Sequence, residues 1–406
     1  MAADTARTLY IRYETGKDTV PGTYTGKLRI KKEGETLLSG DVSVRVRDVY
    51  YDEKTECLTM FGLGYDPGDS NPTLVPGPDS APALDYGSDL LLVYAQYMLD
   101  NRLNPSGMPY QEGLLSEDAV EYMKNPRVTM TMISSYSLDR QYEIAVENDL
   151  LGKLNYGTFD EPHEMEHLGT ILQTAKLYQK SYPGLRAMDC LNTDLPWKDC
   201  NIIEQLADVT TLFSPKLQLY AYDKGVHDSI KKYQRERGDT VIWYVCGSGD
   251  GDLNTVCFLP AVPGTDKRVL FWQQYQEEID GILYWRVTFW NTNVATKYTV
   301  DVWADDYLTA KRKFPLAEEG PTDDGVLLYW HPETGMPVST LGFESIRDGV
   351  EDFQLLKMVE AAVGREKVLS YVEQITTDPA QFIHYEDGST PLLEGLKNQL
   401  FDLLDP

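Results

Sequence analysis

Short apolar runs alternate with amphipathic stretches along most of this chain, and that alternation limits the fold more than any other feature. The apolar runs are CLTMFGLG (57–64), VTMTMISS (128–135), LNYGTFD (154–160), LRAMDCLN (185–192), DVTTLFS (208–214), TVIWYVC (240–246), GILYWRV (281–287) and GVLLYW (325–330). Each is short, apolar and bounded by polar residues, as a strand buried on both faces is. Between them SDLLLVYAQYML (88–99), HEMEHLGTILQTAKLYQ (163–179), VHDSIKKYQRE (226–236) and KRVLFWQQYQEE (267–278) carry helical spacing. Eight strands, most followed by a helix over roughly 300 residues, predict an α/β chain folded as a (β/α)8 TIM-type barrel rather than an open doubly wound sheet. A nucleotide-binding reading loses its main support, because no G-x-G-x-x-G follows the first strand and no G-x-x-x-x-G-K-[ST] occurs.

The flanks read differently. TLYIRYE, GKLRIKKE and DVSVRVRDV between residues 7 and 48 alternate apolar with polar, and PGTYTG supplies turn chemistry. Residues 1–50 are therefore expected to form a short antiparallel β-sandwich-like module, thin enough that a partner sheet lies elsewhere. The barrel is expected over 51–376, its last helix being FESIRDGVEDFQLLKMVEAAV (343–363), and a helical extension over 377–406.

Charge excludes several partners. The 406 residues carry 37 Lys+Arg against 64 Asp+Glu, a net charge of −27. A groove that neutralises phosphates needs clustered cations, so neither nucleic acid nor an anionic membrane surface is expected. No apolar run approaches the length of a membrane span. The opening MAADTARTLY lacks the charged and apolar regions of a signal peptide, which leaves both a cytoplasmic and an exported protein open. The five cysteines show no CxxC pair, so neither a disulfide framework nor a zinc knuckle is expected, and no cofactor is implied.

In such barrels chemistry sits where strands end and loops begin. The run LNYGTFD ends in Asp160 and Glu161, adjacent and followed by Pro162. Past the end of a strand the chain turns, so both carboxylates can face one pocket. An acidic first turn of the next helix explains the same residues. The five residues after Pro162, His163 to His167, match H-E-x-x-H, which on a helix puts both histidines on one face as a zinc peptidase requires. Charged Glu166 inside the motif, the Pro just before it and the lack of a third histidine at the usual spacing argue for a solvated helix turn instead.

Aromatic residues crowd the predicted strand ends: Trp243 and Tyr244, Tyr284 and Trp285, Tyr329 and Trp330, with Trp272, Trp290 and Trp303 near them. Flat rings bury the C–H faces of sugars while their polar tips bond hydroxyls, although alternation turns about half of such residues into the core. Arg102, after the first barrel helix, is placed to hold a substrate oxygen, or simply to lie on the surface. Arg347 and Asp348 read as a structural ion pair.

The segments LNYGTFDEP, FWQQYQEEIDGILYWRVTFWN, DDGVLLYW and ESIRDGVEDFQLL, in this order, resemble the catalytic domain of glycoside hydrolase family 123 and the uncharacterised bacterial domains related to it. VPGTYTGKLRI resembles the end of that group's N-terminal β-sandwich, and the likeness spans roughly residues 15–375. The resemblance implies a glycan or glycoconjugate substrate and a retaining β-N-acetylgalactosaminidase that uses substrate-assisted catalysis. Its adjacent Asp-Glu pair corresponds to Asp160 and Glu161.

That mechanism suits two neighbouring carboxylates. The sugar's 2-acetamido oxygen attacks C1 and forms an oxazolinium, so no second carboxylate is needed across the bond. Glu161 then protonates the leaving oxygen and later deprotonates water, while Asp160 orients the acetamide N–H and stabilises its growing positive charge. Arg102, Tyr244, Trp272, Tyr284 and Trp285 are the expected pocket residues. A zinc metallopeptidase built on His163 and His167, and a glycan-binding barrel without turnover, are the alternatives.

Overall fold

The structure is a computed structural model that describes residues 10–63, 84, 87–192, 201–246, 254–259, 262–288, 324–331 and 333–405. Strands β1 (Gly22–Lys32) and β2 (Glu35–Val46) form an antiparallel hairpin. Its register puts Tyr24, Gly26, Leu28 and Ile30 opposite Val44, Val42, Gly40 and Leu38, so one face is apolar throughout, while Thr23/Arg45 and Lys27/Asp41 lie on the other. Of the three alternating runs, most of GKLRIKKE lies in β1 and most of DVSVRVRDV in β2, so the expected module is two strands among the described residues. Residues 10–16 form no strand, and the start of TLYIRYE lies outside the described residues.

A mixed α/β fold with a parallel central sheet follows. Five strands pair in parallel in the order β3 (Leu58–Phe61), β10 (Gly281–Tyr284), β9 (Thr240–Val245), β8 (Leu212–Pro215) and β7 (Cys190–Leu191). Three more pair in the order β4 (Thr131–Met132), β5 (Leu154–Tyr156) and β6 (Arg186–Ala187). The run 186–191 serves both groups, its first half pairing with β5 and its second with β8. On the far side, isolated parallel bridges join Phe61 to Pro105 and Gly107 to Met132.

One strand expectation is corrected here. GVLLYW does not join the parallel strands: β11 (Leu328–Trp330) pairs antiparallel with β12 (Pro337–Ser339). The segment 103–107 instead lies between β3 and β4. Its Pro lacks an amide donor and its Gly lacks a side chain to pack, so it makes single bridges rather than a ladder and carries no strand signal.

Two hydrophobic clusters hold the fold. A small one takes Met60, Met130, Met188, Leu212, Ile242, Tyr244 and Leu283 from successive parallel strands. The large one fills the space between strands and helices. Among the helices are α1 (Asp89–Asp100), α2 (Glu117–Lys124), α3 (Leu138–Glu147), α4 (Met165–Ser181), α5 (Ile202–Leu206), α6 (Leu217–Tyr222) and α7 (Lys224–Arg237). The series continues with α8 (Gly264–Gln276), α9 (Leu341–Val363), α10 (Arg365–Val372) and α11 (Ser389–Leu404). Capping residues set several starts: Ser88, Asp223 and Thr340 each accept a backbone N–H of the first turn. Helix α8 is buried on nearly all sides and packs against α9, where Gly349 admits the Phe271 ring; a Cβ there would lie 2.2 Å from it. No described helix is long and apolar enough to cross a membrane.

Candidate active site

Strand β5 ends at Tyr156, and the chain does not enter α4 until Met165. The turn between them carries Asp160 and Glu161. Its shape is imposed from three sides. Asp189, 8% exposed, accepts through Oδ1 from the Thr158 amide at 2.8 Å, the Thr158 hydroxyl at 2.6 Å and the Phe159 amide at 3.0 Å. The Phe159 ring stacks on His167 with centroids 4.1 Å apart. Glu161 adopts φ +43°, a left-handed conformation that costs a non-glycine residue of order 1–3 kcal/mol and persists only where the surroundings hold it.

Across the strand ends, the Tyr244 hydroxyl donates to Glu161 Oε1 at 2.5 Å. Tyr244 is 3% exposed and belongs to β9, so a phenol from one strand grips a carboxyl from the loop of another. Burial pushes its hydroxyl far above the usual phenol range, with Cys190 and Glu161 adding to the effect, so it remains a donor at working pH. Beneath the pair the Cys190 thiol is pushed up by burial and then by Asp160 and Glu161. Burial likewise raises Cys246 to about 11, with Lys216 opposing and with Glu161 and Asp324 adding to the rise. These thiols stay protonated and do not act as nucleophiles.

Two further groups border the same space. Lys216, 6% exposed, follows β8; its amide donates to Leu191 O at 2.7 Å and it bridges Tyr244. Asp324 accepts from the Tyr284 hydroxyl at 2.6 Å and from the Trp285 indole N–H at 2.9 Å, while the Gly325 amide donates to that hydroxyl at 2.7 Å. Glu161, Lys216, Cys246 and Trp285 follow the C-terminal ends of β5, β8, β9 and β10 respectively, the side on which parallel α/β folds build their sites.

The family model of the glycoside hydrolase 123 catalytic domain matches residues 140–359, more than half of the chain. The chain belongs to glycoside hydrolase family 123. It is a glycoside hydrolase. Among solved structures, a family 123 glycoside hydrolase from Clostridium perfringens, described for the details of glycolipid glycan hydrolysis, aligns with a TM-score of 0.52 at 11% identity. The alignment covers 95% of this chain and 76% of that one, and it shows the shared fold. A glycosyl hydrolase family 2 member from Bacteroides cellulosilyticus aligns with a TM-score of 0.31 at 10% identity, over 65% of this chain and 34% of the other. No curated protein matches.

Within this family 123 hydrolase the residues singled out from the sequence separate into two groups. Glu161, Tyr244, Tyr284 and Trp285 lie at the C-terminal strand ends; Tyr284 is wholly buried and Trp285 is 37% exposed. Trp272 lies elsewhere: it is 0% exposed on α8, and its indole N–H donates to the buried Asp352 of α9 at 3.3 Å. Arg102 precedes the 103–107 segment and so occupies the N-terminal side of the strands, opposite Glu161. Its Nη1 donates to Asp52 O at 2.8 Å and its Nε lies 3.6 Å from Glu351, which makes it a structural residue. Arg347 pairs with Glu344 and with Asp348, and donates to the Tyr10 hydroxyl at 2.8 Å. Trp243 is core, and Trp290 and Trp303 lie outside the described residues.

The zinc motif is not built as its spacing suggests. Helix α4 starts at Met165 with Glu164 as its N-cap, so His163 lies outside the helix, its ring packed edge-on against His167 with centroids 4.8 Å apart. The His167 Nδ1 accepts from the Glu164 amide at 3.3 Å, completing a capping box, and His163 Nδ1 sits 3.2 Å from the Glu161 carbonyl. Glu164, Glu166 and His167 bring ligand atoms within 4.8 Å of one another at the exposed start of α4, without His163. Asp189, Lys216 and Asp324 border the candidate site without having been expected as pocket residues. Asp189 lies inside the run LRAMDCLN, Asp324 inside the segment DDGVLLYW, and Lys216 directly after the apolar run TTLFSP.

Proposed function

We propose that this glycoside hydrolase is a retaining exo-β-N-acetylgalactosaminidase acting by substrate-assisted catalysis. Its parallel strands would close as a (β/α)8 barrel through residues 105–107, a reading supported by the two isolated bridges there and by the cluster of side chains drawn from successive strands. The β hairpin, the barrel over 51–376 and the C-terminal extension are its three parts. The observation that carries the functional reading is the Tyr244–Glu161 hydrogen bond beside Asp160 at the C-terminal strand ends.

Glu161 is the general acid and then the general base. Tyr244 fixes the rotamer of its carboxyl, so the proton is delivered along one direction. Asp160 faces the acetamide N–H of the bound sugar and stabilises the oxazolinium charge. The acetamido oxygen is the nucleophile, forming a bond to C1 as the bond to the leaving oxygen breaks. Water then adds at C1 as the bond from C1 to the acetamido oxygen breaks and the acetamide is regenerated, the water's proton passing to Glu161, and the configuration is retained. Trp285, its indole tied to Asp324, offers a partly exposed ring face for a sugar. The glycolipid glycan in the description of the Clostridium perfringens relative fits such a substrate class.

The test compares leaving groups. Glu161→Gln removes the proton donor but leaves the acetamide and Asp160, so a nitrophenyl glycoside should form the intermediate far better than a natural glycan does. Asp160→Asn should slow both. Acid–base assistance is worth about 10²–10⁴-fold, so equal losses in both variants on both substrates would remove the assignment.

A further inference from the structure

We infer that Asp189 is a positioning residue that sets the working geometry of the Asp160–Glu161 turn. The inference rests on the reading of that pair as the reacting carboxylates. Asp189 lies where the run 186–191 stops pairing with β5 and starts pairing with β8. Tyr156 pairs with Ala187 and the Met188 amide donates to Tyr156 O at 2.9 Å, so two residues further on Thr158 comes level with Asp189. There the backbone ladder is replaced by a side chain. One carboxylate oxygen takes the Thr158 amide, the Thr158 hydroxyl and the Phe159 amide, none of which belongs to a strand or helix ladder.

Those two amides immediately precede the pair. Glu161 itself holds a left-handed backbone, which relaxes to ordinary φ unless both sides of the turn are fixed. Tyr244 fixes the carboxyl from one direction and Asp189 fixes the backbone from the other. A buried carboxylate with three converging donors is expensive to maintain for stability alone, since an apolar residue with a closed ladder would serve. It is well suited to holding a turn that must aim two side chains at one sugar ring.

The experiment uses the full chain with Asp189→Ala and Asp189→Asn. A displacement of about 1 Å in the pair costs about 10²-fold in rate, so Asp189→Ala should lower kcat on a nitrophenyl N-acetyl-β-galactosaminide by about that factor with KM little changed. Both good and poor leaving groups should suffer, because both carboxylates ride on the one turn. Asp189→Asn keeps an acceptor in place and should recover most of the lost kcat. Amide hydrogen exchange supplies a readout independent of turnover: Thr158 and Phe159 should exchange faster in Asp189→Ala while the strands keep their protection. Wild-type kcat and protection in both variants would overturn the inference. So would a lowered Tm with unchanged kcat per folded molecule, which is the signature of a purely structural group. If Asp189→Ala does not fold, Asp189→Leu, which fills the space but offers no acceptor, takes its place: lowered kcat with lost Thr158 and Phe159 protection supports the inference, and wild-type values of both overturn it. If the wild type cleaves no aryl glycoside, the reading of the pair fails, and the exchange data alone decide whether Asp189 holds the turn.

Discussion

Replacing Tyr244 by Phe tests the contact on which the site depends. The ring stays and fills the same space in a position that is 3% exposed, so the packing of β9 should survive. What goes is one hydrogen bond, 2.5 Å long, from a buried phenol to a carboxyl oxygen of Glu161. Hydrogen bonds to charged groups contribute about 1.5–3 kcal/mol, and each 1.36 kcal/mol is tenfold in rate. If the bond orients Glu161 in the transition state, kcat/KM should fall by about 10- to 150-fold. The loss should appear in kcat more than in KM, because Tyr244 aims the acid rather than binding the sugar. It should also be larger on a natural glycan than on a nitrophenyl glycoside, whose leaving group needs little protonation. Steady-state kinetics on both substrates, with Tm measured in parallel, give the answer. Wild-type kcat/KM on the poor leaving group in a protein of wild-type Tm would refute the reasoning.

Two other outcomes follow from the structure. Lys267 is 2% exposed on α8, its ammonium donating to Val262 O at 2.6 Å, and burial pulls it down to about 8 against the pull of Cys257 and Asp266. Between that value and the 10.5 of a free lysine only the unfolded chain keeps the proton, so stability should rise with pH there; urea titrations at pH 7 and 9.5 should show a rise of about 2 kcal/mol in the wild type and not in Lys267→Met. Chelation should leave glycosidase activity intact, since the acetamide supplies the nucleophile and His167 is engaged in capping α4; loss with EDTA and recovery with zinc would revive the peptidase reading.

Much of the architecture is legible in the sequence because apolar runs such as TVIWYVC have to be buried on both faces. Seven of the eight strand expectations join the parallel pairing, and the Asp-Glu pair stands out because it ends one of them. What stays hidden depends on partners far along the chain. GVLLYW has the composition of a central strand, and only its antiparallel pairing with Pro337–Ser339 sets it apart. Trp272 looks like a pocket aromatic until Asp352 is found beside it, 80 residues on. Arg102 and Asp189 exchange importance for the same reason. An arginine in a loop draws notice, yet its neighbours are Asp52 and Glu351 on the N-terminal side of the strands. Asp189, in the middle of the run LRAMDCLN, looks like part of a strand, although its carboxyl holds the turn that carries the pair. The H-E-x-x-H match does not sit on one helix because of a local detail, the capping choice that starts α4 two residues late and leaves His163 to meet His167 from outside it.

The central claim is that the substrate's own acetamide does the nucleophilic work beside Asp160 and Glu161. Measuring kcat/KM of the wild type on nitrophenyl N-acetyl-β-galactosaminide and on the matching β-galactoside tests it most directly. An intramolecular nucleophile held next to C1 carries a large entropic advantage, so the acetamido substrate should be cleaved about 10²-fold faster or more, with retention of configuration and with inhibition by a thiazoline mimic of the oxazolinium. Equal cleavage of the plain galactoside would contradict the account and would require a second carboxylate, separate from this pair, as the nucleophile.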